Sequence, residues 1–204
     1  MLFDRATHWD KAYAGKGEAG VSWFQLSPDF SLSLIESIAG GTPLSVIDIG
    51  GGASRLVDAG VARGWSMAVL DVSHNALDIA RERLGAAAGE VDWIVADITV
   101  WRPLHTYDVW HDRAVFHFLT DAGDRAAYAD RLRAALKSGG HAVIATFAPD
   151  GPERCSGLPV QRYDAPSLHA AIGDGFRLAA AHREVHATPW GSTQSFQFSM
   201  FERT

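Results

Sequence analysis

The sequence predicts an α/β fold: a doubly wound, mostly parallel sheet with helices on both faces. Three observations predict it. Val46-Ile47-Asp48-Ile49 is a short apolar run that drops at once into Gly50-Gly51-Gly52. Two further apolar runs end in an acid, 67–71 (MAVLD) at Asp71 and 91–97 (VDWIVAD) at Asp97. Each of these runs is followed by a stretch of helical pattern, the signature of repeated strand-helix units.

Along the chain, Ser27-Pro28 opens the first predicted helix, with serine as N-cap and proline in the first turn. Phe30, Leu34, Ile35 and Ile38 form its apolar face, and Gly40-Gly41 end it. Strands are predicted near 44–49, 66–71, 91–96, 107–111 and 141–147, with helices near 54–63, 74–84 and 122–137. Tyr128, Leu132, Ala135 and Leu136 face inward on the last helix, Gly139-Gly140 follow it, and Arg125, Arg131 and Arg133 read as its solvated face. Residues 195–201 (SFQFSMF) alternate with the period of a strand and are expected to pair with 177–185 through a turn holding Pro189 and Gly191.

A buried strand, a glycine turn and a helix start form a corner suited to a nucleotide, because glycine admits positive φ and close approach. The dinucleotide fingerprint G-x-G-x-x-G needs a sixth-position glycine where Arg55 stands. The spacing instead resembles D-x-G-x-G-x-[GS], motif I of the class I S-adenosylmethionine-dependent methyltransferases, with Asp48, Gly50, Gly52 and Ser54 at its signature positions and Gly51 between them. Asp71, 21 residues after Gly50, ends the second strand, where an acid accepts hydrogen bonds from vicinal ribose hydroxyls; Val72 is next to it. The resemblance implies that Asp97 faces the adenine amino group and that Ile98 packs on the ring. It also implies a Rossmann-like seven-stranded sheet of order 3-2-1-4-5-7-6 with the last strand antiparallel, S-adenosylmethionine as cofactor and S-adenosylhomocysteine as product. It covers nearly the whole chain.

The 204 residues fit one domain, read as an N-terminal cap and helix segment over 1–40 and a cofactor-binding sheet core with acceptor loops over 41–204. The formal charge of −6 leaves no basic footprint, which disfavours nucleic acid as partner. Cys155 is the single cysteine, so no intrachain disulfide forms, in keeping with a cytoplasmic protein. The start MLFDRATHWDKAY lacks the apolar core of a signal peptide, and no run approaches the roughly 20 apolar residues of a membrane span. His182 and His186 in HREVH are not H-E-x-x-H and, on a strand, stand about 13 Å apart, so no metal is expected.

Segments outside the sheet should choose the acceptor. The stretch 8–26 brings Trp9, Tyr13, Trp23 and Phe24. In related methyltransferases such a segment folds over the cofactor, and aromatic faces attract a sulfonium cation. Tyr13 and Trp23 are assigned to the cofactor and Phe24 to the acceptor. After strand four, Asp112, Arg113 and His117 are the catalytic candidates. His117 would act as base, and Asp112 would either join the chemistry or hold Arg113 and the loop. The loop 146–163 offers Cys155, Arg162 and Tyr163 as acceptor walls.

The expected function is methyl transfer by in-line displacement to a small-molecule thiol, carboxylate or amine. A protein lysine acceptor stays open: the start W-D-x-x-Y and the G-G-G-A-S loop are similar to such enzymes. Asp112-Arg113-Ala114-Val115, however, departs from their D-K-G-T segment. The strand-four end also lacks the N-P-P-[YF] of adenine or glutamine amide methylation. A non-catalytic module that binds S-adenosylmethionine is a further alternative, and a nicotinamide dehydrogenase a weaker one.

Overall fold

The computed structural model describes residues 4–14 and 17–204. The reading of the N-terminus therefore lies partly outside the described residues, as do positions 15 and 16 of the 8–26 stretch.

Seven strands form one sheet. They are β1 (Ser45–Ile49), β2 (Ser66–Asp71), β3 (Asp92–Val95), β4 (Tyr107–Arg113), β5 (Leu136–Phe147), β8 (Phe176–Ala187) and β9 (Thr193–Arg203), and a two-residue hairpin, β6 (Arg154–Cys155) with β7 (Leu158–Pro159), stands apart. The order is β3-β2-β1-β4-β5-β9-β8. With the hairpin set aside, this is the expected 3-2-1-4-5-7-6. β1 to β5 are parallel, and β9 runs antiparallel to both β5 and β8.

Alternation along the strands divides the core between the two faces. Ile47 and Ile49 of β1, Leu70 of β2 and Ile144 of β5 pack under α5 (Ala122–Ala135) and α6 (Ala165–Ile172), with Tyr128, Leu132 and Leu168 buried against them. Val46, Met67, Val69 and Val109 face the other way, onto α2 (Asp29–Ala39), α3 (Leu56–Ala62) and α4 (His74–Leu84). Phe196 and Phe198 of β9 form a further cluster with Leu34 and Val143.

Several boundaries differ from expectation. Ser27 is not the α2 cap: its hydroxyl is held by the Asp29 carboxylate, and Pro28 stands at the cap with no side-chain bond. Gly139-Gly140 do not simply stop a helix. β5 begins at Leu136, and the register with β4 shifts between Tyr107 and Val109. A Cβ at Gly140 would stand 3.0 Å from the Asp108 carbonyl, so only glycine lets the strands close there.

Two helices lie beyond the predicted set, α1 (Arg5–Tyr13) and α6. Asp4 caps α1 by accepting from Thr7 N–H at 3.2 Å, and Asp164 and Ser167 form a capping box on α6 with Pro166 in its first turn. The arginines of α5 are not a purely solvated face. Arg125 donates to the Leu119 and Thr120 carbonyls, and Arg133 to the Ile172 carbonyl. Among the described residues, no helix is long and apolar enough to cross a membrane.

Candidate active site

The carboxyl ends of β1, β2 and β4 open on a cavity of about 410 Å³, the place where open parallel sheets bind ligands. Gly50, Asp71, Val72, Asp97 and Ile98 form its strand-end wall. Trp9, Tyr13 and Trp23 close it from the N-terminal side, and Arg113, Val115, Phe118 and Cys155 from the other. A pocket of about 60 Å³ adjoins it and shares Tyr13, Trp23, Gly50 and Arg113 with it. This pocket reaches Asp48, Gly51, Ser54, Arg55 and Phe24.

The glycine loop is built for close approach. Gly50 (φ +64°) would drive a Cβ into the Val115 side chain. A Cβ at Gly51 would stand 2.6 Å from Asp48 Oδ2, and one at Gly52 2.9 Å from Asp71 Oδ2. The loop is pinned to β2, since the Gly50 N–H donates to the Leu70 carbonyl at 2.6 Å. Ser54 has a local role: its hydroxyl accepts from Leu56 N–H at the start of α3.

Asp71 is buried, and that burial pushes its carboxyl up to about 7, against the Ser73 N–H it accepts at 2.8 Å. Asp97 is engaged differently. Burial raises its carboxyl, but Arg5 (2.8 Å) and the Thr99 N–H and hydroxyl (2.8 Å each) outweigh burial and hold it below the ordinary value. Arg5 also pairs with Asp124, so α1 is fastened across the cavity rim. Asp10 of α1 accepts from the Ser73 hydroxyl at 2.7 Å at the start of α4. Trp23 Nε1–H donates to the Tyr13 hydroxyl at 3.1 Å, and Trp9 meets Trp23 and Phe118 edge to face at 5.6 and 5.0 Å.

The residues after β4 separate into two roles. Asp112 is fully buried and accepts from Val115 N–H (2.8 Å), Phe116 N–H (3.1 Å) and the Tyr128 hydroxyl (2.6 Å). It holds the loop and does not face the cavity. Arg113 does face it. Nη1 donates to the Trp23 carbonyl at 3.0 Å, the guanidinium lies 4.6 Å from the Phe196 ring centre, and Nε and Nη2 are buried without a partner among the described residues. Burial draws this guanidinium down to about 10.

The base assigned to His117 is corrected by its surroundings. The side chain is fully buried and off the cavity, between Phe118 and Phe147, and Nδ1 accepts the Phe147 N–H at 3.1 Å. Burial, then the nearby Arg113 charge, pushes it down to about 3, so it stays neutral at working pH. His117→Ala is expected to cost about 2–4 kcal/mol of stability through a core cavity and an orphaned N–H, with cofactor affinity near wild type. Thermal melts and calorimetry check this; a lost rate with unchanged melting would restore the base.

Three acceptor assignments also change. Arg162 ties its own loop, donating to the Gly151 carbonyl and pairing with Glu153. Tyr163 packs on Phe116 in the core, away from the cavity. Phe24 lies by the glycine loop under Arg55. Cys155 does reach the cavity, with burial raising its thiol to about 11.

Sequence reasoning missed a buried chain behind the loop. His111 Nδ1 lies 2.6 Å from Asp48 Oδ1, and Nε2 lies 2.9 Å from the Ser31 hydroxyl. Asp48 and His111 are register partners on β1 and β4, a pairing that only the strand register reveals. Among the described residues, no cluster of His, Cys, Asp and Glu could hold a metal ion.

Residues 47–142 match a family model described as a methyltransferase domain. No curated protein matches the sequence. Solved structures give the same fold at low identity. The N-methyltransferase NodS of Bradyrhizobium japonicum WM9, in complex with S-adenosyl-L-homocysteine, is 13% identical over 98% of this chain and 99% of its own, with a TM-score of 0.73. The Burkholderia thailandensis 1,6-didemethyltoxoflavin-N1-methyltransferase is 15% identical over 98% and 84%, with a TM-score of 0.69. A protein from work on the conversion of a disulfide bond into a thioacetal group during echinomycin biosynthesis is 18% identical over 98% and 92%, with a TM-score of 0.77.

Proposed function

We propose that this chain is a class I S-adenosylmethionine-dependent methyltransferase whose acceptor is a small molecule, a reading supported by the matched methyltransferase domain over residues 47–142 and by the fold. The observation that carries the proposal is the enclosure: α1 is tied down by Arg5 and Asp10 on one side, and the β6–β7 hairpin brings Cys155, Leu158 and Pro159 to the other. A cavity of about 410 Å³ that must also hold the cofactor leaves little room beyond it.

The residues fit the cofactor. The glycine loop brings its backbone against Asp48 and Asp71, where a Cβ would collide with their carboxylates, and so keeps both acids beside the two pockets. Asp71 suits a ribose diol, and Ile98 suits one face of an adenine. In the small pocket Asp48 Oδ2 and Arg55 Nε are both buried without partners among the described residues, complementary to an ammonium and a carboxylate. Asp97 is the acid assigned to the adenine amino group, and its oxygens are already shared by Arg5 and Thr99. S-adenosylmethionine, when bound, supplies a sulfonium methyl that an acceptor lone pair displaces, the bonding pair staying on sulfur.

The chain's own contribution is alignment and exclusion of water. Trp9, Tyr13 and Trp23 wall the cavity with aromatic surface that favours a cation and keeps solvent out. Positioning alone lowers such barriers by several kcal/mol, on the order of 7 in well-oriented cases. Among the described residues no histidine lines the cavity, and its carboxylates are engaged at the cofactor end. An acceptor that arrives unprotonated therefore suits it better than an ammonium.

The test is transfer from methyl-labelled S-adenosylmethionine in a cell lysate, with products separated by size. The expected result is label in the small-molecule fraction, in molar excess over the protein. Label in a discrete protein band would establish a protein acceptor instead. Stoichiometric binding without transfer would mark a binding module.

A further inference from the structure

We propose that Arg113 is the recognition group for a negatively charged acceptor, and that the acceptor is a small flat molecule whose ionised thiol or carboxylate docks on the two free N–H groups of that guanidinium. This rests on the small-molecule methyl-transfer reading.

Arg113 is fixed before any ligand arrives. Nη1 is spent on the Trp23 carbonyl, and Phe196 lies under the guanidinium plane. Nε and Nη2, one edge of the planar fork, are buried with no partner among the described residues. That edge is the arrangement that meets an anion with two parallel hydrogen bonds. A buried donor left unpaired costs free energy, so the site is prepared for a ligand that pairs it.

Nearby protein acids do not take the place. Glu184 and Asp48 act on Arg113 through space, yet neither forms an ion pair with it among the described residues, and each keeps one buried oxygen unpartnered. The Cys155 thiol also faces Arg113, and burial keeps it protonated. The cofactor's own carboxylate has another partner in Arg55 Nε, which lines only the small pocket. That leaves Arg113 for the acceptor.

The remaining walls specify shape. Trp9 and Phe118 meet edge to face, and Leu158 and Pro159 close the side opposite α1. These surfaces suit a ring or a flat apolar body. An anion brings its lone pair already free, so no proton has to be removed, and the methylated product loses the charge that held it on Arg113.

The test uses the full chain loaded with S-adenosylhomocysteine, titrated calorimetrically with benzoate and thiophenolate against neutral benzamide and cationic benzylamine. The anions are expected to bind about 10- to 100-fold more tightly than benzamide. Arg113→Gln should erase that preference, and Arg113→Lys should keep part of it. Both variants should hold S-adenosylhomocysteine within about threefold of wild type, a difference of under 1 kcal/mol.

Equal binding of benzoate and benzamide, or tighter binding of benzylamine, would overturn the proposal. So would an Arg113→Gln variant that loses S-adenosylhomocysteine rather than the anions, because Arg113 would then hold the cofactor. A turnover arm with S-adenosylmethionine separates thioether from ester product. Arg113-dependent anion binding supports the anion site whether or not a probe is methylated; if lysate transfer is also absent, it is the methyl-transfer reading that fails.

Discussion

Asp112→Ala is expected to lower the stability of the fold by about 2–4 kcal/mol and to weaken cofactor binding with it. The carboxylate is fully buried and accepts from two backbone N–H groups and the Tyr128 hydroxyl. Its removal strands three buried donors at about 1–3 kcal/mol each, partly offset because a buried charge is removed too. Burial pushes this carboxyl up to about 6, which shows that the charge is held at a cost. The loop it organises carries Arg113, Val115 and Phe118 to the cavity, so a disordered loop opens the site. Asp112→Asn, which keeps oxygen for part of the network, should lose about half as much. Chemical denaturation of the three proteins checks the order. An alanine variant as stable as wild type would show that the loop holds itself.

Asp71→Asn is expected to produce opposite changes in affinity and stability. Cofactor affinity should fall by about 10- to 100-fold, since a neutral amide replaces a carboxylate accepting from two hydroxyls. The ligand-free protein should become more stable at pH 8 by about 1–3 kcal/mol. Burial raises the folded carboxyl to about 7 from an unfolded value near 3.8. A group raised on folding contributes its full stability below the unfolded value. That contribution is lost as pH rises through the folded one, so above about 7 the native state bears the whole burden of a buried charge. The gain should vanish near pH 4, where both proteins are neutral at this position.

For the same reason, wild-type affinity for S-adenosylhomocysteine should rise between pH 6 and 8 as Asp71 ionises. Melting curves across pH and calorimetric titrations check both halves. A variant with unchanged affinity would remove Asp71 from the ribose site.

The sheet is legible in the sequence because its signals are local. Val46 to Asp48, Met67 to Asp71 and the alternation of 195–201 each state their element within a few residues, and Gly50 to Gly52 mark the turn where Cβ atoms would collide. The strand-end wall of the cavity is legible with it, since Asp71 ends β2 and Asp97 follows the neighbouring β3 by two residues, and both line the cavity.

The side of the cavity formed after β4 and β5 is only half legible, because there the decisive quantity is which way a side chain points. Arg113 and His117 share a short segment, yet one opens on the cavity and the other is sealed under Phe147. Arg162 and Tyr163 sit in a loop rich in glycine and proline, as expected of a binding loop, but Arg162 bonds within the loop and Tyr163 packs into the core. The Asp48–His111–Ser31 chain joins three elements and depends on register and helix placement together. The α6 capping box is different in kind: Asp164 and Ser167 stand three residues apart around Pro166, a helix-start signal as local as those of the sheet.

A crystal structure of the full chain with S-adenosylhomocysteine bound tests the central claim most directly. The predicted result has the ribose hydroxyls on Asp71, the adenine against Ile98, the amino-acid tail in the small pocket at Asp48 and Arg55, and the Arg113 edge free toward the acceptor space. A ribose held elsewhere, or a nucleoside lying outside the ends of β1 and β2, would contradict it.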